Sequence, residues 1–166
     1  MPTGPAARVS DGVAHPTPPV LTGSPGSPDV LIGYKPAWRG IPAEAASAIK
    51  AAKQTSDTTI AAAEAATKAA IGTPGAGAAY TAEQTAKAAA LAALGGSIKA
   101  AAGASDTHVC TTPSPTPPHG PGVVIDGSQT VIINYMPACR MGDTILEALG
   151  PPNKITKGED SVIIGG

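Results

Sequence analysis

The chain has 166 residues, including 20 Gly and 18 Pro but no Phe, one Trp and three Tyr, so a large hydrophobic core is excluded. This length corresponds to one domain with an insertion, or to two small pieces. The formal net charge of -1 excludes the strongly basic surface that nucleic acids or anionic lipids require.

The first 41 residues predict a turn-rich β segment. Their start has no charged region followed by an apolar run, and the chain has no uncharged apolar run of 18 residues, so neither a secretory signal nor a membrane span is predicted. Residues 16–19 are Pro-Thr-Pro-Pro, which predicts an extended loop because each Pro fixes φ and removes an amide donor. Residues 23–26 then turn the chain into Val-Leu-Ile at 30–32, which predicts a strand.

Residues 42–104 are rich in Ala, Glu, Lys, Gln and Thr, a composition typical of helices. One apolar stripe along a nearly straight helix is indicated by isoleucines eleven residues apart, at Ile49, Ile60 and Ile71. Residues 72–77 break this helix, and a capping box at residues 81–84 predicts the start of a second one. The two glycines at 95–96, or Gly103, are expected to weaken or end that second helix. The sequence therefore predicts an antiparallel hairpin, either a spacer or a docking arm.

The second β stretch contains a pattern that repeats an earlier one. Residues 127–140 and 26–39 share the spacing Gly-x-x-x-Val-x-Ile-x-x-x-Pro-Ala-x-Arg. A third copy is divided between the ends of the chain, because residues 158–164 match its front half and residues 5–8 are Pro-Ala-Ala-Arg. If the units are equivalent, the two ends lie side by side in a closed body with pseudo-three-fold symmetry.

The arginine of each unit precedes an aspartate. In two of the units, two residues lie between the arginine and the aspartate: Arg8 pairs with Asp11, and Arg140 pairs with Asp143. In the remaining unit, the helical residues 42–104 lie between Arg39 and the corresponding aspartate, Asp106. The hairpin at 42–104 is therefore predicted as an insertion into a mostly β body made of residues 1–41 and 105–166. One arginine per unit favours internal hydrogen bonds to carbonyls or to the aspartates over anion binding.

All three histidines, with one of the two cysteines, fall in the loops after these aspartates, at His15, His108, Cys110 and His119. His108 and Cys110 are two residues apart, so in an extended chain both point the same way. Three imidazoles and a thiolate complete a tetrahedral Zn²⁺ shell and leave no position for water or substrate, which predicts one structural zinc ion. The alternative is three scattered surface histidines and a buried thiol.

The two cysteines lie in different units. Without a secretory signal, a thiol or metal ligand is favoured over a disulfide between Cys110 and Cys139. Cys139 occupies the variable position of Pro-Ala-x-Arg, where the other units have Ala7 and Trp38, so it is predicted to pack in the interior. The sequence has no Ser/His/Asp order with a nucleophile elbow, no phosphate-binding Gly loop before a helix, and no obvious acid/base carboxylate pair. We therefore predict that the protein is not an enzyme.

Residues 5–8, 36–39 and 137–140, together with the segment from 119 to 128, resemble the PAAR-repeat proteins, and the likeness extends over most of 4–41 and 105–166. The resemblance implies a small cone of short β-strands around a pseudo-three-fold axis. It also implies a zinc ion near the tip, held by three His and one Cys. Carried onto this chain, these ligands are His15, His108, Cys110 and His119.

The resemblance further implies a mechanical function. Such proteins cap the trimeric valine-glycine repeat spike of bacterial type VI secretion systems, or the equivalent spike of related contractile injectors. We therefore expect one copy per spike trimer, residence in the bacterial cytoplasm before firing, and secretion at the spike tip with transient contact with the target membrane. The chain ends with the last strand, so no fused toxin is expected. Two alternatives remain, a small zinc hydrolase and an effector- or adaptor-binding module acting through the helical hairpin.

Overall fold

The structure is a computed structural model that describes residues 2–15, 20–110 and 118–166. The predicted Pro-rich loops lie outside these residues, except for residue 118. The described chain forms strands β1 (Gly4–Ala6), β2 (Leu31–Ile32), β3 (Lys35–Pro36), β4 (Thr107–Cys110), β5 (Gly120–Val124), β6 (Ile132–Ile133), β7 (Met136–Pro137), β8 (Thr144–Glu147), β9 (Asn153–Lys154) and β10 (Glu159–Ile164). It also forms helices α1 (Ala43–Ala70) and α2 (Ala76–Ala102).

The balance of secondary structure differs from the predicted mostly β class. The two helices have 28 and 27 residues, whereas the longest described strand has six. The strands form small antiparallel sheets, which pair β1 with β10, β2 with β3 and β6 with β7, and join β4, β5, β8 and β9 in that order. The fold is therefore mixed α and β, because the helical residues outnumber those of the short strands.

The two ends of the chain lie side by side, as predicted. Strand β1 pairs antiparallel with β10, with Gly4 opposite Ile164. The other two copies of the repeat each form a tight hairpin, β2 with β3 and β6 with β7. Both turns have positive φ at both central residues, 53° and 65° at Gly33 and Tyr34, and 51° and 66° at Asn134 and Tyr135. These values are typical of type I′ hairpin turns.

The three Pro-Ala-x-Arg segments meet in a closed ring of backbone hydrogen bonds. Trp38 N–H donates to Ala7 O at 2.9 Å, Cys139 N–H to Trp38 O at 3.0 Å, and Ala7 N–H to Cys139 O at 2.9 Å. A second ring joins the residue after each arginine to a neighbouring segment's proline, at 2.8 to 2.9 Å. The two rings run in opposite directions, so each segment both donates to and accepts from each of its neighbours. The pseudo-three-fold cone itself stays a prediction.

Each repeat arginine binds the aspartate of its own unit, as predicted. Its backbone N–H donates to the carboxylate at 2.8 Å in Arg8–Asp11, 2.9 Å in Arg39–Asp106 and 2.8 Å in Arg140–Asp143. The guanidinium Nε donates to the same carboxylates at 3.1, 3.0 and 2.9 Å. The Arg39–Asp106 pair spans 67 residues of sequence and so closes its unit across the base of the helical hairpin.

The second helix begins earlier than predicted. Its N-cap is Gly75 rather than a residue of the 81–84 capping box, and its C-cap is Gly103. Thr81 lies inside the helix, and its Oγ1 donates to Gly77 O at 2.9 Å. A Thr hydroxyl within a helix commonly bonds the carbonyl four residues back, which removes the capping role that the pattern predicts. Neither helix is long and apolar enough to cross a membrane, judged over the described residues.

The hairpin and the β body share a hydrophobic core at one end of the helices. Ile49 of α1 and Ile98 of α2 pack in one buried cluster with Val123 of β5 and Leu146 of β8. The eleven-residue stripe of isoleucines is therefore buried only near the β body, because Ile49 is 5% exposed and Ile71 is 73% exposed.

This difference gives a matched pair of substitutions. We expect Ile49→Ala to lower the free energy of unfolding by about 2–5 kcal/mol, because it leaves a cavity in the shared core. Ile71→Ala should change it by less than about 0.5 kcal/mol, because that side chain is mostly in solvent. Urea denaturation measures both values, and equal effects would contradict the shared core.

Candidate metal centre

The four-stranded sheet places three candidate donors in register. His108 and Cys110 lie on β4, both buried, while Val109 between them is 41% exposed, as expected for an extended chain. Gly122 of β5 pairs with His108 on one side and with Glu147 of β8 on the other. A Cβ on Gly122 would lie 2.8 Å from Glu147 Cγ, so the glycine leaves room for the carboxylate.

Two histidines outside the strands lie close to these three candidate donors. His15 follows the bridge between Val13 and Ile155, and His119 comes directly before β5. The two imidazole rings lie 5.1 Å apart. The side chain of His15 is 2% exposed and that of His119 is 13% exposed. Both imidazole rings are therefore largely buried beside the four-stranded sheet.

Four donor groups converge within 4.8 Å of one another, those of His15, Cys110, His119 and Glu147. Cys110 Sγ lies 3.3 Å from His15 Nε2, and Glu147 Oε1 lies 3.2 Å from the same nitrogen. His119 Nδ1 lies 2.8 Å from Glu147 Oε2. Imidazole, thiolate and carboxylate are all ligands that zinc accepts, so this cluster could hold a metal ion.

His108 lies beside this group. Its Nε2 is 3.7 Å from Glu147 Oε1, and the side chain is 1% exposed. Neither of its ring nitrogens has a hydrogen-bond partner among the described residues. Burial lowers the pKa of His108, against the opposing effect of Glu147, and this favours the neutral ring that can bind a metal. A buried polar group without a partner costs about 1–3 kcal/mol, and a metal ion would supply the missing partner.

The charge of the cluster also suits a cation. Glu147 is fully buried, and within the described chain its ion-pair partners are histidines, with no Lys or Arg among them. Its other contact is Asn153 Nδ2, which donates to Oε2 at 2.9 Å. A buried carboxylate is costly unless a positive charge lies close to it. A divalent metal ion would meet that requirement.

The structure thus brings together three of the four predicted ligands, His15, Cys110 and His119, and places His108 at the edge of the group. Sequence reasoning missed Glu147. A signal for it exists, because each unit has a donor four residues after its aspartate, at His15 after Asp11, Cys110 after Asp106 and Glu147 after Asp143. The third unit has no histidine, so its donor is a carboxylate.

Cys139 has a different environment. It is fully buried in a cluster with Trp38, Leu21 and Ile145, and burial raises the pKa of its thiol well above the usual value. Neither cysteine forms a disulfide. Cys139 therefore packs in the interior, as predicted from its place in the repeat.

Comparison with known proteins gives one match. Residues 115–166 match the family model described as PAAR motif. No curated protein and no solved structure matches the chain significantly. The matched residues contain His119, Glu147 and the Pro-Ala-x-Arg segment at 137–140.

Proposed function

We propose that the chain is a PAAR-repeat protein, because residues 115–166 match the PAAR motif model, and that it is the metal-stabilised tip of the spike of a type VI secretion system or a related contractile injector. It caps the trimeric valine-glycine repeat spike protein, or an equivalent phage-like spike, with one copy per trimer. Its role is structural. It sharpens the spike and stiffens the point that is pushed through a target membrane.

The observation that carries this proposal is the closed ring formed by the three Pro-Ala-x-Arg segments. Three similar segments that each contact both neighbours suit a partner with three identical subunits. Each repeat also exposes one large apolar side chain directly before a buried isoleucine. These are Leu31, Ile132 and Ile163, which are 62%, 52% and 62% exposed, and we call them the base residues. Exposed apolar side chains of this kind often mark an interaction surface.

Zinc is the proposed metal, and its proposed role is structural. His15, Cys110 and His119 would supply three ligands, and the fourth is either His108, as the sequence predicts, or Glu147. A bound ion would link the first unit to the four-stranded sheet, since His15 lies outside that sheet. In small domains such links replace part of the missing hydrophobic core.

The two alternatives are less well supported. A zinc hydrolase needs an open coordination position, but the His15 and Glu147 side chains are 2% and 0% exposed. Attachment of an effector or adaptor to the hairpin is compatible with the tip function. The exposed Ile71 and Tyr80 near the turn between the helices are its most suitable contacts, at 73% and 52% exposed. We retain this attachment as an additional proposal.

Spike binding tests the proposed function. The test variant carries Asp at all three base residues, as Leu31→Asp, Ile132→Asp and Ile163→Asp. Its affinity for the purified trimeric spike should fall at least about 100-fold, because several central contacts are lost together. Co-purification and a titration by biolayer interferometry measure this loss.

The matched control is Ile71→Asp, which adds the same charge to a side chain that is 73% exposed on the hairpin. It should bind the spike like the wild type. Loss of binding by the control with retention by the triple variant would move the docking surface to the helices. Circular dichroism of both proteins checks that they remain folded.

A further inference from the structure

Two of the three tyrosines of the chain occupy the same place in the repeat and lie almost wholly in solvent. Tyr34 follows Gly33 in the turn between β2 and β3, and Tyr135 follows Asn134 in the turn between β6 and β7. They are 99% and 93% exposed. Neither tyrosine therefore gains appreciable stability from burial within the chain.

The backbone at these two tyrosines is also unfavourable for a bulky residue. The φ angle is 65° at Tyr34 and 66° at Tyr135, in the left-handed region where the Cβ of an L-residue is crowded. Type I′ turns favour Gly at this position, and the divided copy of the repeat has Gly166 there, with φ of 96°. Strained residues of this kind cluster at binding and active sites. The two tyrosines therefore indicate a function outside the fold of the chain itself.

Both turns are fixed by contacts with neighbouring units. Asn134 Nδ2 donates to Asp29 Oδ1 at 2.8 Å, and Ser27 Oγ donates to Asn134 Oδ1 at 2.7 Å. Gly33 lies against the guanidinium of Arg8, since a Cβ on Gly33 would be 2.7 Å from Nη1. Both tyrosine rings thus project from a fixed backbone, and little conformational entropy is lost when a partner binds them.

Tyr135 shares a surface with the base residues. It lines a cleft of about 360 Å³ together with the base residue Ile132, and Ile41 and Pro42 at the start of the helical hairpin line the same cleft. Tyr34 has the same place in its hairpin, three residues after the base residue Leu31. The two tyrosines therefore extend the surface that is proposed to meet the spike.

We propose that Tyr34 and Tyr135 are the aromatic anchors by which the tip binds the trimeric spike, so that two of the three spike subunits each receive a tyrosine and the third faces Gly166. The spike as partner is taken from the proposed function, and the repetition of one anchor at equivalent turns suits a partner built of identical subunits. Tyr is enriched among the residues that dominate binding at interfaces, because its ring offers a large apolar area with a polar end. Binding then offsets the backbone strain.

Glycine at both positions separates binding from folding, because Gly adopts these φ angles without strain. Tyr34→Gly and Tyr135→Gly should each weaken binding to the purified trimeric spike about 10-fold, and the double variant about 100-fold, since separate sites contribute roughly additively. The melting temperature should not fall in any of these variants. Tyr80→Ala removes the third tyrosine, 52% exposed on α2, and should bind like the wild type. Biolayer interferometry and thermal melting measure these effects.

Wild-type affinity in the double glycine variant overturns the assignment of the anchors and leaves the proposed function standing. An equal loss of affinity in Tyr80→Ala overturns it as well. A melting temperature that falls together with the affinity also does so, because the tyrosines would then act through the fold. Failure of the wild type to bind the spike refutes the proposed function and the anchors with it.

Discussion

Removal of the metal is expected to cause a large loss of stability. Apparent zinc binding in small metallo-domains is on the order of 10 kcal/mol, comparable with the whole free energy of unfolding of a typical domain, about 5–15 kcal/mol. Cys110 is a ligand in every set considered above. We therefore expect Cys110→Ala to reduce the zinc content from about one per chain to none, and to lower the melting temperature as strongly as a chelator does in the wild type. Elemental analysis and thermal melting measure both effects.

Cys139→Ala is the matched control, since it removes the other buried thiol. Cys139 packs against Trp38 and Leu21 rather than facing the metal centre. Its loss should lower stability through packing alone and leave the zinc content unchanged. A chelator should then destabilise Cys139→Ala but have no further effect on Cys110→Ala. Zinc retained in Cys110→Ala would show that the proposed centre is wrong.

The sequence predicted the long-range connections well, because a repeat encodes the same local contacts in each copy. The shared Pro-Ala-x-Arg pattern predicted that residues 5–8 complete the unit begun by the C-terminal strand, and β1 pairs with β10. Arg39 has no aspartate three residues later, and the repeat pattern therefore predicted Asp106 as its partner. The two side chains are hydrogen-bonded. The internal repeat thus made it possible to predict contacts between residues that are far apart in a single sequence.

Other features depend on tertiary structure and could not be predicted in this way. The start of α2 at Ala76 follows from tight turn geometry at residues 71–75, which competes with the capping pattern at 81–84. Glu147 was missed because carboxylates are common. Its place four residues after Asp143 matches that of the donors in the other units, and the pairing of Gly122 with both His108 and Glu147 then shows that this carboxylate faces the histidines.

Loss of the Asp106 carboxylate is expected to have the second large effect. Asp106 is 1% exposed and accepts hydrogen bonds from the backbone N–H, Nε and Nη2 of Arg39 at 2.9, 3.0 and 3.0 Å. Asp106→Ala leaves Arg39, whose side chain is 8% exposed, without its counter-charge. Breaking one side of a buried ion pair costs about 3–5 kcal/mol. Urea denaturation should show this loss, accompanied by weaker zinc binding because β4 starts at the next residue.

A second ion pair provides the comparison. Glu64→Ala breaks the pair with Lys87, but the Glu64 side chain is 42% exposed and Lys87 keeps Glu83 as a partner, so the loss should stay below about 1 kcal/mol. In the double variant of Arg39→Met and Asp106→Ala, the destabilisation should be smaller than the sum of the two single losses, because neither charge is left unpaired. Arg39 also donates to Gly26 O at 3.0 Å, so part of its own loss will remain in the double variant. Strict additivity would mean that this pair does not close the unit across the hairpin.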